Sequence, residues 1–208
     1  MNQLILRVGA WSAALAALCL AIQFAIGASI GAALADLNSL APGKVTALLA
    51  THGESIKWLY MFDDIFPLLY ATAFIGLAEY LRERAPAFAR IALVFGLLTA
   101  TADWFENSIV LSLTMLVQAA GAIDAAQLFA LNIIAQMKYL FAGIAVFLFG
   151  VSLWDASRVN RAASIIALMF VPVNALAFIN GSASLLRLLG MFALLVATAL
   201  VLRVAGKR

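Results

Sequence analysis

The chain has 208 residues, of which 66% are hydrophobic and 11% are charged, and its formal net charge at pH 7 is +3. A soluble domain carries about 25% charged and about 45–50% apolar residues, so this composition excludes an ordinary soluble fold. The basic residues lie at the ends of apolar segments, a pattern that does not indicate a nucleic-acid partner. Cys19 is the only cysteine and His52 the only histidine, so we predict no intrachain disulfide, no metal site and no cofactor.

Six apolar segments follow one another along the chain, and a run of about 20 apolar residues is enough to cross a bilayer as a helix. They cover residues 8–34, 58–81, 88–117, 125–154, 162–179 and 185–204. Few residues remain outside them, so we predict that residues 1–208 form a single all-α membrane domain, a bundle of six transmembrane helices. The one long connection, residues 36–57, is predicted to be an outer loop that partly covers the bundle. Val45, Leu48 and Leu49 in it are compatible with one side of a short interfacial helix.

The basic residues predict the orientation of the six segments. They concentrate at the N-terminus, in the second and fourth connections and at the C-terminus, as Arg7, Arg82, Arg84, Arg90, Arg158, Arg161, Arg203, Lys207 and Arg208. The third connection has no Lys or Arg, and the fifth has only Arg187 nearby. Because short cytoplasmic connections carry the excess of Lys and Arg, we predict that both termini are cytoplasmic. The expected location is a bacterial inner membrane, with the lipid bilayer as the surroundings.

Polar side chains occur within the apolar segments, where a charge costs about 2.5–3.5 kcal/mol. They lie in the second, third and fourth segments, as Asp63, Asp64, Tyr70, Asp103, Glu106, Asn107, Gln127 and Lys138. Asp63 and Tyr70 are seven residues apart, and Asp103, Glu106 and Asn107 fall in one helical stripe. Gln127 and Lys138 are eleven residues apart, close to three full turns. The three stripes therefore predict one cluster that opens outward.

The charges of this cluster do not balance. Four carboxyl groups would give −4 if all were ionised, and Lys138 supplies +1. Water, a bound cation or protonation of one or more carboxyls must offset the excess, and a protonated carboxyl beside an ionised one suits acid/base catalysis. We therefore predict Asp63, Asp103, Glu106 and Lys138 as catalytic residues. Tyr70, Asn107, Asp64 and Gln127 are the predicted substrate-binding residues.

The same residues carry a resemblance over less than half of the chain. The pattern Phe62-Asp63-x-x-Phe66-Pro67-x-x-Tyr70, followed by Asp103-x-x-Glu106-Asn107, resembles one found in small uncharacterised bacterial multipass membrane proteins. This resemblance implies a multipass fold and carries no activity with it. The paired carboxylates are also similar to those of the emopamil-binding-protein and sigma-2 receptor group, which includes sterol isomerases. This chain has no intramembrane histidine and shares no motif with that group.

Three functions are compatible with this pattern. The first is a membrane enzyme that acts on a lipid, an isoprenoid-like substrate or another apolar small molecule by acid/base chemistry. The second is a small proton- or cation-coupled transporter or channel, and the third is a structural or accessory subunit in which the polar residues only join helices. Gly27 and Gly31 form a GxxxG pattern in the first segment, which is compatible with a homo-oligomer because small residues let helices approach closely.

Overall fold

The described residues form an all-α bundle. The computed structural model describes residues 1–31, 34, 37, 40–154, 157–179 and 183–207, without the side chains of 178 and 179. The helices within these ranges are α1 (Gln3–Ile30), α2 (Pro42–Leu81), α3 (Pro86–Gln118), α4 (Ala125–Leu153), α5 (Arg158–Ile179) and α6 (Ser184–Ala205). Each is long and apolar enough to cross a membrane. The predicted six-helix bundle is confirmed, and these helices make the chain a multipass membrane protein.

The helices are arranged as a closed ring. Each one packs against the helices before and after it in the chain, and α6 returns to pack against α1. Helix α2 also contacts α4 and α6, so it lies closer to the centre of the ring than its neighbours do. This arrangement gives all six helices a face toward a common interior.

Two glycines let α1, α2 and α6 converge where the ring closes. A Cβ atom on Gly76 would lie 3.2 Å from Cα of Gly9 and 2.9 Å from the side chain of Leu202, which is fully buried. The GxxxG glycines have other surroundings. Gly31 ends α1 with a φ of 74°, and a Cβ on Gly27 would meet Leu34 and Leu59 of the same chain. Association of two chains through Gly27 and Gly31 stays a prediction.

In the segment predicted as an outer loop, residues 36–57, Val45, Leu48 and Leu49 lie on one side of a helix as predicted. This helix is continuous with the second span, which corrects the prediction of a short separate one. Residues 42–57 form the first part of α2, and Asp36 lies outside the described residues. Pro42 stands in the first turn, where a missing N–H costs no helical hydrogen bond. Four apolar residues at helical spacing share one face of this part and are buried against the ends of α3 and α4; they are Val45, Leu48, Leu49 and Ile56. Burying such a stripe requires a helix rather than a loop.

The length of α2 follows from this extension. Its 40 residues span about 60 Å at 1.5 Å per residue, roughly twice the thickness of a hydrocarbon core of about 30 Å. One part of α2 therefore projects beyond the membrane and packs on α3 and α4 there. The boundaries of the other helices differ from the predicted ones by about a turn, as expected for helix ends.

Candidate functional site

Helix α2 presents two consecutive aspartates to different neighbours, because successive helical residues point about 100° apart. Asp63 faces the interior of the ring and lines a central cavity. Asp64 faces α3, where its Oδ1 accepts a hydrogen bond of 3.2 Å from Nδ2 of Asn107 and its carbonyl accepts one of 3.0 Å from Nε1 of Trp104. Buried Pro67 has no N–H, so the carbonyl of Asp63 four residues earlier lacks its helical donor.

A lysine from α4 joins two carboxylates from α3. Nζ of Lys138 lies 2.9 Å from Oδ1 of Asp103 and 2.5 Å from Oε2 of Glu106. The hydroxyl of Tyr70 on α2 donates a hydrogen bond of 3.0 Å to Oδ2 of Asp103. Both oxygens of Asp103 are thus engaged, one by a cation and one by a phenol. The side chain of Asp103 is 5% exposed and that of Lys138 is 12% exposed, so the ion pair is screened little by solvent.

The cluster forms the polar end of a cavity of about 530 Å³. All six helices contribute to its lining, and the four predicted catalytic residues together with Tyr70 line it. Most of the remaining lining is apolar and includes a row of aromatic rings with successive centroids 5.0, 5.7 and 5.5 Å apart, namely Phe66, Tyr70, Phe74 and Phe149. Away from the cluster the lining consists of aliphatic and small residues such as Leu77, Leu153 and Ala163.

Asp63 differs from the other two carboxylates in the cavity. Within the described part of the chain, no side chain or backbone group donates a hydrogen bond to its carboxylate or forms an ion pair with it. It shares the cavity with Asp103, Glu106 and Lys138 and faces the apolar volume. In the described structure, Asp103 thus has a partner at both carboxylate oxygens, Glu106 is paired at one oxygen and Asp63 is unpaired.

Three predicted substrate-binding residues lie away from the cavity lining. Asn107 is fully buried and joins α3 to α2 through Asp64. Gln127 closes the N-terminus of α4, where its backbone N–H donates to Oδ1 of Asp124 at 2.8 Å and its Oε1 accepts from the Asp124 N–H at 3.0 Å. This reciprocal pair is a capping box. In the structure, Asp64, Asn107 and Gln127 contact other parts of the protein, whereas Tyr70 lines the cavity.

The sequence interpretation did not include several residues that line the cavity. Arg187 of α6 stacks on Tyr139, with Cζ 3.6 Å from the ring centroid, and Nζ of Lys138 lies 4.9 Å from the same centroid. Gln23 of α1 and Tyr60 of α2 also line the cavity. Arg187 was assigned to helix orientation because it lies near a connection, and only its contact with Tyr139 shows that it faces inward. Basic residues are common near segment ends, where they fix orientation, so the position of Arg187 in the sequence did not show that it faces inward.

The segment 36–57 does approach the cluster. Leu37 and Leu40 line a second cavity of about 20 Å³ together with Tyr60 and Glu106. On the projecting part of α2, Oε1 of Glu54 accepts a hydrogen bond of 3.1 Å from Nε2 of Gln118 at the end of α3. Through these contacts, the segment 36–57 packs at the same end of the bundle as the cluster.

The fold and the site together define a multipass membrane protein with a buried carboxylate–lysine cluster at one end of an apolar cavity. In the described ranges, no group of three His, Cys, Asp or Glu side chains is arranged to hold a metal ion. Comparison of the chain with protein-family models, with curated proteins and with solved structures finds no match.

Proposed function

We propose that the chain is a membrane enzyme that holds an elongated apolar molecule, a lipid or an isoprenoid-like compound, in the central cavity and acts on its polar end by carboxylate acid/base chemistry. One observation carries the proposal: an apolar cavity of about 530 Å³ ends on a cluster of three carboxyl groups and one lysine. Cavities that bind small molecules are mostly apolar and about 300–1,000 Å³ in volume, with a few polar groups that fix orientation.

The contacts of each polar residue suggest its role in the proposed reaction. Asp103 is engaged at both oxygens by Lys138 and Tyr70, so we assign it the role of holding those two groups in place. Glu106 keeps one oxygen free of Lys138, and Asp63 is unpaired in the described structure. Glu106 and Asp63 are therefore the proposed proton-transferring pair. Lys138 and Tyr70 lie where they can stabilise negative charge that develops on the substrate.

The apolar far end of the cavity favours an enzyme over an ion carrier. A proton or cation path needs polar groups or water that continue to the other side of the membrane. Beyond the cluster the cavity runs between residues such as Leu77, Phe149 and Leu153. An alkyl or isoprenyl chain fits these surroundings, whereas a hydrated ion does not.

Proton transfer to carbon leaves a label when the solvent is D2O. Purified protein in detergent would be incubated in D2O with a total lipid extract, and the lipids would be analysed by mass spectrometry. We expect at least one lipid to gain deuterium or change its double-bond position with the wild type, and to remain unchanged with Glu106→Gln or Asp63→Asn. Glu54→Gln, which changes an exposed glutamate on the projecting part of α2, is the matched control and should behave as the wild type.

Filling the cavity tests substrate placement. Ala142 lines the cavity from α4, and Ala130 of the same helix faces outward. Ala142→Phe should abolish the lipid change, and Ala130→Phe should preserve it. If the lipid extract is unchanged by the wild type, or if Glu106→Gln and Asp63→Asn are as active as the wild type, the proposed chemistry is wrong.

A further inference from the structure

The wall of the cavity beside the carboxylates is rich in hydrogen-bond donors. Arg187 of α6 lines the cavity, and no carboxylate in the described ranges pairs with its guanidinium group. Its stacking on Tyr139, at 3.6 Å from the ring centroid, holds the planar group in one orientation. A guanidinium held in this way can direct its N–H donors into the cavity that Arg187 lines.

A second donor faces the same space from α1. Gln23 lines the cavity, and its Nε2 is buried with no hydrogen-bond acceptor in the described structure. Leaving a buried amide donor without an acceptor is unfavourable, so such groups normally have a partner. The position of Gln23 therefore indicates that an acceptor is supplied by something bound in the cavity.

Ser184 begins α6, Arg187 is its fourth residue, and both line the cavity. Gln23 lines the same cavity from α1, so donors from two helices face one space.

We propose that Arg187 and Gln23 form a subsite for a phosphate group on the amphiphile that occupies the cavity. The inference rests on the proposed function and adds the headgroup class of the substrate. A guanidinium matches the oxygens of a phosphate in a bidentate manner. The apolar chain of the same molecule then extends between the aromatic rings toward Leu153. The proton-transferring carboxylates lie on α2 and α3, beside the first carbons of the chain.

Three amphiphiles with the same chain and different headgroups test the subsite. The protein in dodecyl maltoside micelles, which carry no phosphate, would be titrated with dodecyl phosphate, dodecanol and dodecyltrimethylammonium, with thermal unfolding as the readout. We expect dodecyl phosphate to bind about 10- to 100-fold more tightly than dodecanol, as expected for hydrogen bonds to a charged group. Arg187→Gln should remove this preference and leave dodecanol binding unchanged.

Arg203 provides the matched control, since it is an exposed arginine of the same helix outside the cavity lining. Arg203→Gln should keep the full preference for dodecyl phosphate. Gln23→Leu gives a second variant in case Arg187→Gln does not fold, and it should reduce the preference in part. The subsite is wrong if the wild type binds dodecyl phosphate no more tightly than dodecanol, or binds dodecyltrimethylammonium more tightly than dodecyl phosphate. It is also wrong if Arg187→Gln and Gln23→Leu both keep the wild-type preference.

The same titrations separate this inference from the proposed function. If none of the three amphiphiles stabilises the protein and Ala142→Phe changes nothing, the cavity does not bind apolar chains and the proposed function fails with it. If dodecanol binds but phosphate adds nothing, only the subsite fails. Geranylgeranyl phosphate and dioleoyl phosphatidic acid then identify the source of the phosphate: preference for the former indicates an isoprenyl phosphate, and preference for the latter a phospholipid headgroup.

Discussion

Lys138 on α4 and Asp103 on α3 form an ion pair of 2.9 Å between Nζ and Oδ1, within a bundle whose outer surface is apolar. Charges buried in this way contribute little net stability, because their desolvation cost is close to their mutual attraction. Removing one partner destabilises the protein, since the other charge is then buried without an opposite charge. The pair thus makes the structure sensitive to loss of either residue and holds the cluster in one geometry.

Lys138→Met is expected to destabilise the protein strongly. It leaves Asp103 and Glu106 next to each other without a cation, and breaking a buried pair costs about 3–5 kcal/mol. The midpoint of thermal unfolding in detergent measures the effect. Lys57→Met is the matched control because Lys57 pairs with the exposed Glu54, and surface pairs contribute about 0–1 kcal/mol. Equal shifts for the two variants would contradict the buried pair.

The double variant Lys138→Met with Glu106→Gln separates stability from chemistry. The net charge of the cluster equals that of the wild type and Glu106 no longer repels Asp103, so part of the lost unfolding temperature should return, although Asp103 still lacks its cation. Activity on the lipid extract should remain absent, because Glu106 is a proposed proton-transferring group. Full activity of the double variant would show that the cluster serves assembly alone.

Gly96→Ala tests how tightly α3 packs on the aromatic row. A Cβ at this position would overlap the ring of Phe74, which stacks on Phe149 at 5.5 Å between centroids. We expect a loss of about 1–3 kcal/mol, the usual cost of overpacking. Gly43→Ala, where nothing lies within 4 Å, should leave the unfolding temperature unchanged or slightly raised. If Gly96→Ala leaves the unfolding temperature unchanged, Phe74 can move out of the aromatic row without loss of stability.

Cysteine labelling tests where the projecting part of α2 lies. In a Cys19→Ala background, Ala47→Cys should react with an impermeant maleimide in intact cells, because Ala47 is exposed and the segment is predicted to be outside. Val45→Cys, two residues away and fully buried, should react slowly or not at all. Labelling of Ala47→Cys only after permeabilisation would place the segment on the cytoplasmic side. Similar rates at both positions would contradict the buried stripe.

Reporter fusions test the predicted orientation of the bundle. Gly121 lies in the connection between α3 and α4, and the C-terminus follows α6. With six spans and both termini cytoplasmic, an alkaline phosphatase fusion should be active at Gly121 and inactive at the C-terminus. A green fluorescent protein fusion should give the opposite pattern. The same result at both sites would refute the topology.

The sequence by itself determined the number of helices and, for Asp63, Tyr70, Asp103 and Glu106, the helical faces that line the cavity. Runs of about 20 apolar residues have few alternatives to spanning helices, because the bilayer leaves no partner for an unpaired backbone. The spacing of Asp63 and Tyr70, and of Asp103 and Glu106, placed each pair on one helical face. Since charges avoid lipid, those faces had to meet, and in the structure all four residues line one cavity.

Only the tertiary structure decided which partner each polar group has. Asp63 and Asp64 are identical in type and adjacent in sequence, yet one faces the cavity and the other binds Asn107, a choice set by where α3 packs on α2. Likewise, the helical form of residues 42–57 depends on burying Val45 and Leu49 against α3 and α4. Arg187 could be recognised as a cavity residue only once the ring had closed and brought α6 against Tyr139. Helical periodicity sets which face a residue occupies, whereas the packing of distant helices sets what that face meets.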